Sequence, residues 1–222
     1  AGAALPQTRG MTQPIVYVDL DGTLVEPSRG IFASIRHACT VLKKRQPPES
    51  ELPRWIGPPL RASFAAHLGE ECADTAVAAY REYYGATGWH ECSLYPGIDD
   101  ALTALNSAGY DLVVATSKPG VYAMRIIRHF GLDDRFLDVC GSKLDGRLSH
   151  KDDLLFHLQK RYDFRGVTMV GDRRFDIEGA HANGIAALAA AWGFGSREEL
   201  VQAGADVIVN TPARIPEAVR TL

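Results

Sequence analysis

Short apolar runs alternate with amphipathic stretches along most of this chain. Residues 15–19 (IVYVD) are almost wholly apolar up to the terminal acid. Runs of that length are strands covered on both faces, as in a parallel sheet. The shape recurs at 110–120 (YDLVVATSKPG), 165–176 (RGVTMVGDRRFD), 184–190 and 205–210, and more weakly at 135–141. Between these runs, Ile98, Leu102 and Leu105 fall at helical spacing. So do Val121, Met124, Ile127 and Phe130, and then Leu154, Leu155 and Leu158. Alternating strand and helix predicts an α/β fold with a Rossmann-like parallel sheet.

One segment breaks the rhythm. No strand pattern is visible between Thr23 and Tyr95. Helical stretches stand there instead, near 30–44 and 60–84, joined by the turn-rich KKRQPPESELPRWIGPP. In the second stretch Phe64, Leu68, Tyr80 and Tyr84 form a candidate buried stripe. The chain therefore divides into a catalytic core of 11–25 and 93–222 and an inserted α-helical cap domain of 26–92. Residues 1–10 are read as an added or disordered extension.

The strand ends carry the chemistry. Ligands of an open parallel sheet bind beyond its C-terminal strand ends. Asp19 and Asp21 follow the first strand, Thr116 and Ser117 the second, and Asp172 and Asp176 the third, while Lys151 opens a helix. Clustered carboxylates repel, and each then favours protonation. A divalent cation resolves that conflict, and oxygen ligands without a His or Cys cluster point to Mg2+. A lysine and hydroxyls suit a tetrahedral dianion, so the set predicts phosphoryl chemistry. Gly22 permits a tight turn whose N–H groups can face an anion.

Composition narrows the partners. The 222 residues carry a net charge of −3 with no basic block, which argues against a nucleic-acid partner. No apolar run is long enough to span a membrane. Four scattered cysteines suit reduced thiols in a cytoplasmic protein. A monomer or homodimer acting on a small-molecule phosphomonoester is the expectation.

Asp19-Leu20-Asp21-Gly22-Thr23, Thr116-Ser117, Lys151 and Gly171-Asp172 with Asp176 together resemble the four motifs of the haloacid dehalogenase-like hydrolases. LYPGI (94–98), ATSKP (115–119), MVGDRRFDIEGAHANGI (169–185) and GFGSREELVQAGAD (193–206) look like its phosphoglycolate phosphatase-like branch. The cap segment IGPPLRASF (56–64) is similar to members described as 5'-nucleotidases or broad-specificity phosphatases. The resemblance implies a Mg2+-dependent phosphatase with Asp19 as nucleophile and Asp21 as general acid and base. It implies metal ligation by Asp19, the Asp21 backbone carbonyl and Asp172, with Asp176 as a water-mediated ligand or support for Lys151. Thr116 and Lys151 would grip phosphate. Ser117 and Lys118 are further candidates for the phosphate or leaving-group side.

Arg54, Trp55, Gly57 and Arg61 are the cap candidates for substrate specificity. Phosphoglycolate is the first substrate expected, needing a cap cation such as Arg54 or Arg61. A nucleoside monophosphate stacked near Trp55 is the second. A phosphomutase of the same fold, a carbon–phosphorus hydrolase using Lys43 or Lys44, a dehalogenase and a non-catalytic binding module are the rival readings.

Overall fold

A computed structural model describes residues 13–162 and 166–222. The extension expected at 1–10, Met11, and the first residue of the 165–176 run lie outside the described residues. Six strands form one parallel sheet: β1 (Ile15–Val18), β4 (Asp111–Pro119), β5 (Asp138–Ser142), β6 (Val167–Gly171), β7 (Ala186–Ala190) and β8 (Val207–Val209). Their order is β5-β4-β1-β6-β7-β8. All five pairings are parallel. From β1 the chain builds outward to β4 and β5, then crosses back to β6 on the other side. The switch point thus lies at β1, where such sheets open a crevice for ligands.

Period-two alternation on β1 splits the core into two layers. Val16 and Val18 pack with Leu102, Leu105, Ile126 and Ile127 of α4 (Ile98–Ser107) and α5 (Gly120–His129). Ile15 and Tyr17 face Leu154, Leu158 and Ile177 of α6 (Lys151–Arg161) and α7 (Arg174–Ala182). On α5 the buried set is Ala123, Ile126 and Ile127, whereas Val121 is exposed. Of the expected stripe, Ile127 is buried and Phe130 packs against the core, whereas Val121 falls outside it. Val121 lies in the first turn of α5 and faces solvent, while Ala123 and Ile126 join the core cluster.

The inserted segment has its own core. Helices α1 (Ser28–Val41), α2 (Leu60–Leu68) and α3 (Glu70–Ala86) enclose Ile35, Leu52, Phe64, Ala76, Tyr80 and Tyr84. Leu68 is half-buried beside them. Two features correct the sequence reading. A short antiparallel ribbon, β2 (Val25–Glu26) with β3 (Ser93–Leu94), closes the neck of the insertion. Two-residue strands are too short to show periodicity. The expected helix over 60–84 is also two helices, broken at Gly69, whose φ of 93° and ψ of 153° lie outside the helical region. Short α8 (Arg197–Gln202) and α9 (Ile215–Val219) complete the core.

That backbone conformation is open essentially to glycine alone. Gly69→Ala should lower stability by about 1–3 kcal/mol, the cost of holding a side-chain-bearing residue there. Urea denaturation checks this, and an unchanged midpoint would show that α2 and α3 can join without strain.

Candidate active site

The turn after β1 places its acids by packing constraint. Leu20 and Leu24 are fully buried, so the chain folds back tightly and Asp19 and Asp21 remain at the strand end. Gly22 sits at φ +87°, where a Cβ would lie 2.2 Å from Asp172 Oδ2. Its own N–H donates to the Val25 carbonyl at 2.8 Å and so is not one that faces an anion. Gly22 is needed because Asp172 comes so close.

Three segments converge with this turn. Register between β4 and β5 shifts between Thr116 and Pro119, an irregularity that turns Thr116–Lys118 off the regular pleat. Thr116 is buried, and its Oγ1 accepts the Lys118 N–H at 3.2 Å, which leaves the hydroxyl proton available. Ser117 lines the same cavity, half-buried. Lys151, at the start of α6, sends Nζ to Asp19 Oδ1 at 2.9 Å, Asp176 Oδ1 at 2.7 Å and the Ala115 carbonyl at 2.8 Å. Asp176 also accepts the Arg173 N–H at 3.0 Å, which ties it to the first turn of α7. Asp172 accepts from Thr23 Oγ1 at 3.3 Å and from the Phe194 N–H at 2.7 Å.

Carboxylate oxygens of Asp19, Asp172 and Asp176 lie within 4.8 Å of one another. The Asp21 carboxylate turns away, to Lys118 Nζ at 2.7 and 2.5 Å. Four acids against the two ammoniums of Lys118 and Lys151 leave an excess of two negative charges when all are ionised. Burial and the neighbouring Asp176 and Asp19 charges push the Asp172 carboxyl well up. Burial likewise raises Asp176, against the pull of Lys151. Burial would lower the Lys151 ammonium, but Asp176 and Asp19 more than offset it and hold its pKa up. For Asp21, burial outweighs the opposing Lys118 charge and the net shift is upward. A hard divalent cation fits this set: oxygen donors only, buried, and short of positive charge.

A cavity of about 480 Å³ joins these residues to the cap. Trp55, Gly57 and Arg61 line it, as expected. Arg54 does not. The 3-10 turn Leu52–Trp55 buries Leu52 and leaves Arg54 exposed. The Arg61 guanidinium is paired with Asp74 at 2.8 Å and Glu70 at 3.0 Å. Sequence reasoning missed Tyr80 and Tyr84 as lining residues, having read them only as a buried stripe, and it missed Arg81, Tyr122, Arg173 and Phe175. Arg173 stood within the quoted GDRRFD stretch, but no local signal says which way it reaches.

Arginines hold the cap against the core. Arg173 bonds the Ile56 carbonyl of the cap and, at 2.9 Å, Glu199 of α8. Arg81 of α3 donates to the Leu144 carbonyl at 2.8 Å, and Arg125 of α5 to the Gly85 carbonyl at 3.0 Å. Among the described residues no helix is long and apolar enough to cross a membrane.

Residues 16–190 match the family described as "Haloacid dehalogenase-like hydrolase". A protein of Pseudomonas aeruginosa named 5'-nucleotidase is 42% identical over 194 residues, covering 84% of this chain and 86% of that one. A protein of Mycobacterium tuberculosis named tyrosine-protein kinase PtkA is 38% identical over 210 residues, covering 94% and 72% respectively. Among solved structures, a "predicted phosphatase" from Clostridium acetobutylicum superposes with a TM-score of 0.89 at 36% identity, over 96% of this chain and 100% of that one.

A cation held by the three-acid cluster should raise thermal stability by mass action, about 2.7 kcal/mol at a hundred times its dissociation constant. Asp172→Asn removes one of the repelling charges. We expect it to melt higher than wild type without metal, and to lose the Mg2+-dependent shift. Differential scanning fluorimetry with and without EDTA reads both, and a full Mg2+ shift in the variant would refute the assignment.

Proposed function

The chain belongs to the haloacid dehalogenase-like hydrolase family, and on that basis we propose that it is a Mg2+-dependent phosphomonoesterase acting through an aspartyl-phosphate at Asp19. The observation that carries this reading is the separation of the two acids after β1. Lys151 holds Asp19 among the metal-type carboxylates, while Lys118 holds the Asp21 carboxylate apart from them. A nucleophile and a proton carrier need that division.

Asp19, Asp172 and the Asp21 main-chain carbonyl would hold Mg2+, with Asp176 contributing through water. When bound, it supplies charge stabilisation for the transferring phosphoryl group. Asp19 attacks phosphorus as the ester P–O bond breaks. Asp21, its carboxyl pKa raised by burial, gives its proton to the leaving oxygen. A water then attacks the phosphoenzyme, Asp21 takes that water's proton, and Asp19 is released with inorganic phosphate. Thr116 can donate its free hydroxyl proton to a phosphate oxygen. Lys151 keeps Asp19 oriented and balances its charge throughout. The cap's arginine contacts favour exclusion of bulk water during transfer.

The leaving group fills the cap side of the cavity. Glycolate is small for about 480 Å³, and of the cap arginines proposed to read its carboxylate, one lies outside and the other is paired. The aromatic lining, Trp55, Tyr80, Tyr84, Tyr122 and Phe175, favours a larger, ring-bearing group such as a nucleoside. A nucleoside 5'-monophosphate is therefore the substrate this cavity supports best, and phosphoglycolate the second.

Phosphate release should be compared across nucleoside monophosphates, phosphoglycolate and sugar phosphates. A nucleotide enzyme should favour its substrate at least tenfold in kcat/KM, about 1.4 kcal/mol in the transition state. Free phosphate, rather than transfer to a tyrosine peptide, separates hydrolysis from the reaction implied by the mycobacterial relative's name. Asp19→Asn should abolish turnover. Asp21→Asn should slow hydrolysis of alkyl phosphates by roughly 10²–10⁴-fold, the usual worth of acid–base catalysis. Turnover that survives in Asp19→Asn would eliminate the covalent mechanism.

A further inference from the structure

Along the cap a row of aromatic rings runs over the cavity. Trp55 meets Phe64 edge-on at 5.0 Å, Phe64 meets Tyr80 at 6.3 Å, Tyr80 stacks on Tyr84 at 5.4 Å, and Tyr84 meets Tyr122 of α5 at 5.1 Å. Phe64 is fully buried and carries no hydroxyl. Tyr80 and Tyr84 are nearly as buried, at 8% and 2% exposure, yet both do. They stand four residues apart on α3, so they share one face. Neither hydroxyl has a hydrogen-bond partner among the described residues, whereas neighbouring Tyr83 reaches Glu91 at 3.5 Å. The rings are buried, but neither hydroxyl oxygen is: both are open to the cavity and free to bond what enters it. Tyr17, by contrast, has a buried unpaired hydroxyl in the sheet's own core. Tyr80 and Tyr84 line the cavity beside Asp21 and Lys118.

The second observation is electrostatic. Lys118 Nζ, bound to Asp21, lies 4.9 Å from the centre of the Tyr84 ring. Burial raises the pKa of both phenols well above normal, so both stay protonated and can donate. The Asp21 charge acts on both in the same direction. The two hydroxyls are thus neighbours of the group that protonates the leaving oxygen.

Resting on the phosphatase reading above, we propose that Tyr80 and Tyr84 determine specificity by hydrogen-bonding hydroxyl groups of the leaving alcohol, so that the preferred substrates are phosphate esters of polyols, ribose included. Neutral hydroxyls fit better than a carboxylate. Lys118 is bound to Asp21, so a carboxylate placed beside the two rings would stand against the Asp21 carboxyl group and not against a free ammonium.

Paired substrates test this on the full chain with Mg2+. Glycerol 3-phosphate is set against propyl phosphate, and a nucleoside 5'-monophosphate against its 2',3'-dideoxy counterpart. In wild type the hydroxylated member of at least one pair should be favoured at least tenfold in kcat/KM. Tyr80→Phe and Tyr84→Phe should each move that ratio severalfold toward unity, with melting temperatures close to wild type. A ratio near unity for both pairs in wild type overturns the proposal without recourse to any variant. So does a ratio that survives in both Phe variants, or a tyrosine-dependent preference for phosphoglycolate over both hydroxylated esters. Those results leave the phosphatase reading standing. Failure of wild type to release phosphate from any ester removes that reading and this inference together.

Discussion

The Lys151 ammonium is the interaction on which the rest of the site depends. It is buried, and it spends its three protons on Asp19, Asp176 and a β4 carbonyl. Two unit charges 4 Å apart interact by about 4 kcal/mol at an effective dielectric near 20. Without Lys151, Asp19, Asp172 and Asp176 would repel at close range, since Lys118 is committed to Asp21. Four segments from across the chain meet there, so the position of the ammonium also holds α6, α7, β1 and β4 in mutual register. Each partner has a second tether: Asp176 to the first turn of α7, and Asp19 to β6 through its backbone N–H at 2.9 Å.

The parallel sheet makes that convergence possible. Because β4 and β6 flank β1, their C-terminal ends open beside the acids of the first turn. Inserting the cap directly after that turn places its helices over the same ends. The closing contacts use arginine on backbone carbonyls, which hold position without demanding a particular side chain from the opposite surface. Arg173 follows Asp172 directly, so the loop that carries a metal-type acid also grips the cap. The contact that holds the cap and the placement of that acid share one short piece of chain.

The core was largely legible in the sequence. Buried parallel strands read as continuous apolar runs, and acids, hydroxyls and a lysine at their ends stood out as a set. Asp19, Asp172, Asp176 and Lys151 meet as that set implied. The cap was legible as helical but not in detail. Gly69 divides it with a backbone angle that no periodicity announces, and β2 and β3 are too short to alternate. On α5, spacing picked out Ile127, but only the packed sheet showed that Ala123 and Ile126 are buried with it and Val121 is not.

Sequence alone determined the sheet, the inserted helices and the identity of the core acids, because these follow from local periodicity and from residues adjacent to strand ends. Tertiary structure decided how the charges divide. Nothing near Lys118 in the chain says that it takes Asp21, ninety-seven residues away, while Lys151 takes Asp19. It also decided that Arg54 faces solvent, that Arg61 is spent on Asp74 and Glu70, and that Tyr80 and Tyr84 bring unpaired hydroxyls to the cavity. A side chain's partner depends on which distant segment the fold sets against it, and periodicity along the chain carries no record of that.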